Sequence, residues 1–502
     1  MNSFTTPEWV HHAIFYQIFP DRFAKSKKVM KSNNLESWDS APSVYGYKGG
    51  DLLGVVEKLD YLQDLGVNAI YFNPIFQSAS NHRYHTHDYF QVDPMLGGYK
   101  AFKKLLREAH KRNMRVVLDG VFNHASRGFF QFNDILENGQ TSAYLDWFDI
   151  RGFPLNAYHG EPNYRCWWGL PALPEFNTDT PQVRDYIFSV AKYWVDEGID
   201  GWRLDVPFEI DDDAFWQEFR QVVKRANPDA YITGEIAQDA SRWLAGDQFD
   251  AVMNYLLTYG IWIYFGGDEV NQELFGHWIS AHAPDLKIEN VQDFAAYVQG
   301  LLEKYPRQAV LAQMNLLDSH DTARFLSLLN GHKDLMLLAV LFLMTYPGAP
   351  SVYYGDEIGL DGGNDPDCRK AFPWDNRKWD TQMLGFYQRC ISMRKAYPAL
   401  RDGDFKVLYA QDDVMGYLRS KGEEKLLVVL NRSRETRHVD INVQGWLPDG
   451  GVLQHVLANG ELVVQGGYVR DVVLAPVSGI VLGFTGFLGF DGLNGAASGV
   501  GW

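Results

Sequence analysis

Cysteine is scarce in this 502-residue chain: Cys166, Cys368 and Cys390 make an odd count without metal-ligand spacing. That excludes a disulfide framework and a cysteine-built zinc site, and it fits a reducing compartment. Positive charge is also in deficit, with 46 Lys and Arg against 63 Asp and Glu and a net charge of −17. A surface of that sign repels nucleic acid and anionic membrane, so neither is expected as a partner, whereas a neutral, hydroxyl-rich ligand is indifferent to it. No uninterrupted apolar run is long enough to cross a bilayer. Residues 1–9 lack the basic start and apolar core of a secretory leader, so the expected location is the cytoplasm. What the chain does have is 46% apolar residues, enough for a well-buried globular protein. Its length exceeds one compact core and predicts a large barrel with additions or two to three domains.

Strand-like and helix-like segments alternate through most of the chain, the mark of a parallel α/β fold. Residues 13–20 (AIFYQIFP) read as a first buried strand. Leu52, Val55, Val56, Leu59, Leu62 and Leu65 recur at helical spacing, and Gly66 stands where a helix C-terminus wants it. A second strand (67–73), a helix (100–113) and a third strand (114–119) follow. Between 121 and 178 the rhythm breaks into a polar, aromatic stretch too long for an ordinary connection, which reads as functional or as a small subdomain. The alternation resumes with a helix (180–197), the strand-bearing stretch GIDGWRLDV (198–206), a helix (211–226) and strands at 230–235 and 249–254. After a long, partly helical insertion come a strand (314–320), a helix (335–345) and a strand (350–354). Eight such strands predict a (β/α)8 TIM barrel, with an inserted domain after strand 3 and a C-terminal antiparallel β-sandwich domain. The expected boundaries are 1–121 and 178–399 for the barrel, 122–177 for the insertion and 400–484 for the β domain. Residues 485–502, rich in glycine, are expected to form a loosely ordered tail.

Catalytic groups of such barrels sit at the C-terminal ends of strands. Those ends carry Asp119 with His124 just beyond, Arg203 and Asp205, Glu235, and His320 with Asp321. Arg203 and Asp205 are two apart on a strand and point the same way, so the guanidinium can hold the carboxylate ionised. An isolated R-x-D is more often a structural ion pair, and one carboxylate at a strand end is more often a cap. Four carboxylates on one rim crowd like charges at a cost, and function is the economical reason to tolerate it. A carboxylate kept ionised beside a carboxyl that keeps its proton is the equipment of glycoside hydrolysis. In that reading Asp205 attacks the anomeric carbon, Glu235 protonates the leaving oxygen and Asp321 binds sugar hydroxyls. The carboxylate separation that distinguishes retention from inversion stays open at this level.

The motifs DGVFNH (119–124), GWRLDV (201–206), GEI (234–236) and LLDSHD (316–321) resemble those of the α-amylase family, glycoside hydrolase family 13. The likeness runs from YQIFPDRF (16–23) to GAPSVYYGDEIGL (348–360). It implies a retaining mechanism with Asp205 as nucleophile, Glu235 as acid/base and Asp321 as transition-state stabiliser. It also implies substrate contacts from Tyr84 in NHRYHTHDY, whose ring suits the flat face of a pyranose, and from Asp119, His124, Arg203 and His320. Asp365 and Arg369, in GGNDPDCR, resemble a substrate-gripping pair.

GDQFDAVMNY (246–255) and Glu209 resemble the neopullulanase and cyclomaltodextrinase group, which acts on maltooligosaccharides and other α-glucans. The implied activity is cleavage of α-1,4 and α-1,6 bonds in maltooligosaccharide or branched glucan, with an α-glucanotransferase using the same intermediate as the alternative. A non-catalytic member of the family is disfavoured by the complete triad. The group carries an extra N-terminal β domain that helps form dimers. Here the first strand begins almost at once, a layout similar to short cyanobacterial debranching enzymes. A more open cleft is therefore expected, and a homodimer stays open. Ala237 and Gln238 stand where the group has Trp-His, and LPEFN (173–177) where it has MPKLN. Neither cofactor nor metal is expected. The segment KSKKVMK (25–31), where relatives carry a calcium loop, is basic and repels a hard cation. Chelator treatment should therefore leave the melting temperature unchanged, and a fall of many degrees would contradict this reading.

Overall fold

The computed structural model describes residues 4–484. The tail expected at 485–502 lies outside the described residues. The chain divides into two compact units, one of Met1–Met253, Val352–Tyr354 and Asp365–Lys378, the other of Asn254–Ser351, Gly355–Asn364 and Trp379–Trp502.

Eight parallel strands match the eight read from the alternation: β1 (Phe15–Ile18), β2 (Ala69–Phe72), β3 (Arg115–Gly120), β4 (Gly201–Leu204), β5 (Tyr231–Gly234), β6 (Ala251–Val252), β7 (Met314–Leu316) and β8 (Ala349–Tyr353). Their hydrogen-bonded order is β6-β5-β4-β3-β2-β1-β8-β7. Most are buried along their whole length, which is why they read as continuous apolar runs rather than alternating ones. Just beyond β6, the Asn254 N–H donates to the Met314 carbonyl of β7 at 2.8 Å. After β8, the Tyr354 N–H donates to the Gln17 carbonyl of β1 at 3.1 Å. The fold is the (β/α)8 barrel that the alternation predicts.

In the first unit, helices cover the sheet with the faces their spacing foretold. Gly98–His110 buries Ala101, Phe102, Leu105, Leu106 and Ala109, each large side chain contributing roughly 1.5–3 kcal/mol. Pro181–Asp196 starts on Pro181, whose missing N–H costs nothing at a helix start, and buries Ile187, Val190 and Trp194. The segment 52–65 forms two helices, Leu52–Val56 and Leu59–Leu65, rather than one. Apolar spacing cannot reveal that break, because Leu52, Val55, Leu59, Leu62 and Leu65 are buried on both sides of it. The break carries Lys58 over Trp374, 3.9 Å from the ring centroid, a contact worth about 1 kcal/mol. Gly66 caps the second helix at φ 101°, a conformation open to glycine. Gly201 opens β4 where a Cβ would stand 2.4 Å from the Tyr231 carbonyl of β5.

The stretch after β3 holds one α-helix of three turns or less, Phe130–Asn138, short 3-10 turns, and isolated bridges such as Ile150 with Tyr164. Aromatic packing replaces regular sheet there. Phe132 lies 5.0 Å from Phe148 and 4.9 Å from Tyr164, and Phe148 stacks on Phe176 at 5.6 Å.

In the second unit, helices Tyr255–Gly266, Gln272–His282, Val291–Lys304 and Arg307–Ala312 fill the insertion before β7. Eight antiparallel strands follow: β9 (Asp404–Gln411), β10 (Val414–Lys421), β11 (Glu424–Asn431), β12 (Arg437–Asn442), β13 (Val452–His455), β14 (Glu461–Gln465), β15 (Tyr468–Leu474) and β16 (Ser478–Phe484). Their order is β9-β10-β11-β16-β13-β14-β15-β12. Val414 and Leu427 from one end share a core with Ile441 and Val472 from the other, so the sheet closes on itself in two layers. Among the described residues no helix is long and apolar enough to cross a membrane.

Asp250, buried beside β6, ties the first unit's sheet to its helices. It accepts from the Ile232 N–H at 2.9 Å, from Arg220 at 2.9 Å and from Lys224 at 2.7 Å. Asp250→Ala removes the counter-charge from Arg220 and Lys224 and the acceptor of the buried Ile232 N–H, so it should lower unfolding free energy by about 3 kcal/mol or more in urea titrations. A loss near zero would show that the cluster carries no stability.

Candidate active site

The register of the sheet decides which strand-end residues meet. Asp119 on β3 is the cross-strand partner of Arg203 on β4, and Arg203 is the partner of Thr233 on β5. Beyond the strands, the Asp205 N–H donates to the Gly120 carbonyl at 3.1 Å, and the Glu235 N–H to that of Leu204 at 2.9 Å. Asp205 and Glu235 therefore leave the sheet side by side.

Arg203 has no exposed side-chain surface and touches three carboxylates. Its Nη1 lies 3.0 Å from Asp119 Oδ1 and 2.9 Å from Asp205 Oδ1, and its Nη2 lies 2.7 Å from Glu235 Oε1. The pair expected from R-x-D is thus a four-residue cluster. Burial alone would pull the guanidinium toward neutrality, but Asp119 and Glu235 outweigh it and set its pKa well above the ordinary value. Burial pushes Asp119 up from the usual carboxylate range, opposed by Arg203. The Asp119 carboxylate also accepts the Tyr71 hydroxyl at 2.7 Å and the Tyr84 hydroxyl at 2.9 Å. It is enclosed by protein groups, so it orients Arg203 and Tyr84 rather than presenting a free carboxylate. Tyr71 and Asn73, which donates to the Tyr84 hydroxyl at 3.1 Å, were missed in the sequence. The strand-end reasoning that found Asp119 applies to both.

Val206, directly after Asp205, is a β-branched residue in the left-handed region at φ 36°, ψ 50°. Such a conformation costs about 1–3 kcal/mol and persists only where its surroundings enforce it. There its N–H donates to Glu235 Oε2 at 3.2 Å. Glu235 is held through both oxygens.

Tyr84 is half-buried and stacks against His82 at 5.7 Å. His82, His85 and His124 surround it, and burial lowers all three pKa values, to about 4 for His85 and about 3 for His124. Neutral imidazoles can both donate to and accept from hydroxyls. The His124 Nε2 is buried without a protein partner. Asp365 and Arg369 do pair, at 3.0 Å, and the Arg369 guanidinium lies 5.4 Å from the Phe19 ring centroid. A cleft of about 870 Å³ opens in the same unit, lined by Asn123, Asp149, Glu175 and Phe176 of the inserted stretch and by Glu209 and Asp211 after β4.

His320 and Asp321 belong to the second unit. His320 Nε2 lies 3.2 Å from Asp321 Oδ2, and the Asp321 N–H donates to Ser319 Oγ at 3.2 Å. Asp318 anchors that turn by accepting the Phe325 N–H at 2.6 Å. It shares a hydrogen bond with Asp356, whose pKa burial and the Asp318 charge raise well above the carboxylate range, while Arg324 bonds Asp356 at 2.7 Å.

Among the described residues no three His, Cys, Asp or Glu side chains are grouped to hold a metal ion. In the basic segment 25–31, Lys31 donates to the buried Asp51 carboxylate at 2.6 Å, and the Ser26 N–H reaches the same oxygen at 2.8 Å. An ammonium is the cation at that oxygen.

Comparison with known proteins places this geometry. Residues 17–403 match the family "Alpha amylase, catalytic domain" and residues 405–482 the family "Neopullulanase-like, C-terminal domain". A cyclomaltodextrinase of a Bacillus species is 47% identical over 438 residues, covering 86% of this chain and 75% of that protein. An intracellular maltogenic amylase of Bacillus subtilis is 39% identical over 445 residues, covering 88% and 72%. The crystal structure of a debranching enzyme from Nostoc punctiforme is 49% identical with a TM-score of 0.87, covering 96% of this chain and 100% of that one.

Ordinary histidine titrates near 6.5, whereas folded His85 and His124 do so at about 4 and about 3. The unfolded chain therefore binds protons first on acidification. Stability from these neutral rings is complete above pH 6.5 and is lost as the pH falls toward those values. The melting temperature should decline over that window, and His124→Asn should decline less steeply; parallel slopes would refute the assignment.

Proposed function

The chain belongs to the α-amylase family of glycoside hydrolases, and from that membership we propose a retaining α-glucan hydrolase that cleaves α-1,4 and α-1,6 bonds in maltooligosaccharides or branched glucan. The observation that carries this reading is the bridge of one buried guanidinium to both Asp205 and Glu235. Carboxyls sharing a guanidinium suit the separation of roughly 5–5.5 Å used in retention better than the roughly 6.5–9.5 Å that leaves room for an inverting water.

In the first step an Asp205 oxygen attacks the anomeric carbon, the glycosidic C–O bond breaks and Glu235 gives its proton to the leaving oxygen. In the second, Glu235 takes a proton from water, whose oxygen displaces Asp205 from the sugar. Three carboxyls around one guanidinium leave a deficit of positive charge, and a proton retained within the cluster halves it. Arg203 keeps Asp205 ionised and Asp119 keeps Arg203 in place. Tyr84 supports the flat face of the attacked sugar. His124 and His320 bind its hydroxyls, Asp321 steadies its distorted ring, and Asp365 with Arg369 grips the same unit. The α-1,6 part rests on the Nostoc punctiforme relative, named a debranching enzyme. The name of the Bacillus subtilis relative supports a cytoplasmic location. Residues 1–121 and 178–399 serve as the barrel, 122–177 as the inserted domain and 400–484 as the terminal β domain.

Asp205→Asn should leave a folded protein whose kcat falls by about 10⁴-fold or more on maltooligosaccharides. Appreciable residual hydrolysis would remove Asp205 as nucleophile. In the wild type, products profiled on cyclodextrin, pullulan, linear maltooligosaccharide and branched glucan should be hydrolytic; dominant transfer to an added acceptor sugar would favour a glucanotransferase instead.

A further inference from the structure

Stacked on His124, the inserted stretch carries two tryptophans that the proposed chemistry does not use. The His124 ring stacks on Trp167, with centroids 5.2 Å apart and planes 21° apart. Trp167 in turn stacks on Trp168 at 4.6 Å and 7°. The column starts at a buried histidine and ends in solvent, where Trp168 is 80% exposed.

Nothing in local sequence preference explains that posture. Trp168 is a bulky residue at φ 52°, ψ 23°, in the left-handed region, where a side chain of its size is an outlier. The turn that holds it is not slack. The Gly169 N–H donates to the Cys166 carbonyl at 3.2 Å and the Leu170 N–H to that of Trp167 at 2.9 Å. The Leu173 N–H donates to the Leu170 carbonyl at 3.0 Å, and the Trp167 N–H to that of Leu173 at 3.0 Å. Two ring nitrogens along the column, His124 Nε2 and Trp167 Nε1, are buried without a protein partner. A rigid, flat, exposed indole beside unpaired ring nitrogens suits a ligand with apolar faces and hydroxyl edges. The column also begins at His124, so Trp168 is joined through Trp167 to a histidine beside Tyr84.

We propose that Trp168 is a stacking platform for a glucose unit of an α-glucan chain, remote from the unit that is attacked, and that it selects long chains over short ones. This rests on the α-glucan reading above. The strained backbone turns the indole outward, and Trp167 backs it so that its free face stays planar and available.

The test compares kcat/KM for maltoheptaose with that for p-nitrophenyl α-maltoside in the wild type, Trp168→Ala and Trp168→Tyr. A ratio of the two substrates is independent of how much of a variant is correctly folded. In Trp168→Ala the ratio should fall about tenfold, mainly through KM for maltoheptaose, and Trp168→Tyr should recover most of it because a flat ring is restored. An unchanged ratio in Trp168→Ala overturns the platform while leaving the hydrolase intact, whatever happens to absolute rates. A ratio that Trp168→Tyr does not recover overturns stacking as its basis. A wild type that cleaves neither substrate removes the α-glucan reading, and the platform with it.

Discussion

A guanidinium sealed from water and shared by three carboxylates is the interaction on which the rest depends. Dehydrating such a cation costs several kcal/mol, recovered only when its donors meet acceptors at good geometry. Arg203 Nη1 meets that condition at Asp119 and Asp205, at 3.0 and 2.9 Å, and its Nη2 adds an ion pair with Glu235 at 2.7 Å. Its planar fork imposes relative positions on two carboxyls that would otherwise swing on flexible stems. Because arginine does not titrate in the working range, that frame persists while the carboxyls around it exchange protons.

The barrel exists around this cluster in a specific register. Cross-strand pairing brings Asp119 beside Arg203, and the ladder carried one residue further brings Asp205 level with Glu235. A one-residue slip would turn each of these side chains to the other face of the sheet. The same economy governs the turn after β7, where a carboxyl pair, Asp318 and Asp356, with Arg324 fixes the loop that bears His320 and Asp321. At both places ionisable groups that never meet solvent determine where the more accessible ones stand. Within the cluster, strain enters at Val206, where the chain must turn sharply and still deliver an N–H to Glu235.

The protein's acidity is compatible with this chemistry because the ligand it suits is neutral. The histidines near Tyr84 stay uncharged through burial, so hydroxyls meet rings that can accept as well as donate. Lys31 sits at the buried carboxylate of Asp51, which also caps the helix that follows.

The sequence by itself determined the barrel, because buried parallel strands and amphipathic helices differ in periodicity and length, and each of the eight strands announces itself in that way. It also determined the chemical inventory, since strand ends are the places where this architecture presents polar groups, and Asp119, Arg203, Asp205, Glu235, His320 and Asp321 all stand there. Tertiary structure alone decided that Arg203 serves three carboxylates rather than one, because cross-strand register depends on packing between segments more than eighty residues apart. It alone decided that residues 52–65 break into two helices, since apolar spacing survives the break. The same holds for the inserted stretch. Its aromatics are visible in the sequence, but irregular backbone has no period from which to read that one tryptophan is a half-buried backing plate and the next is turned out to water.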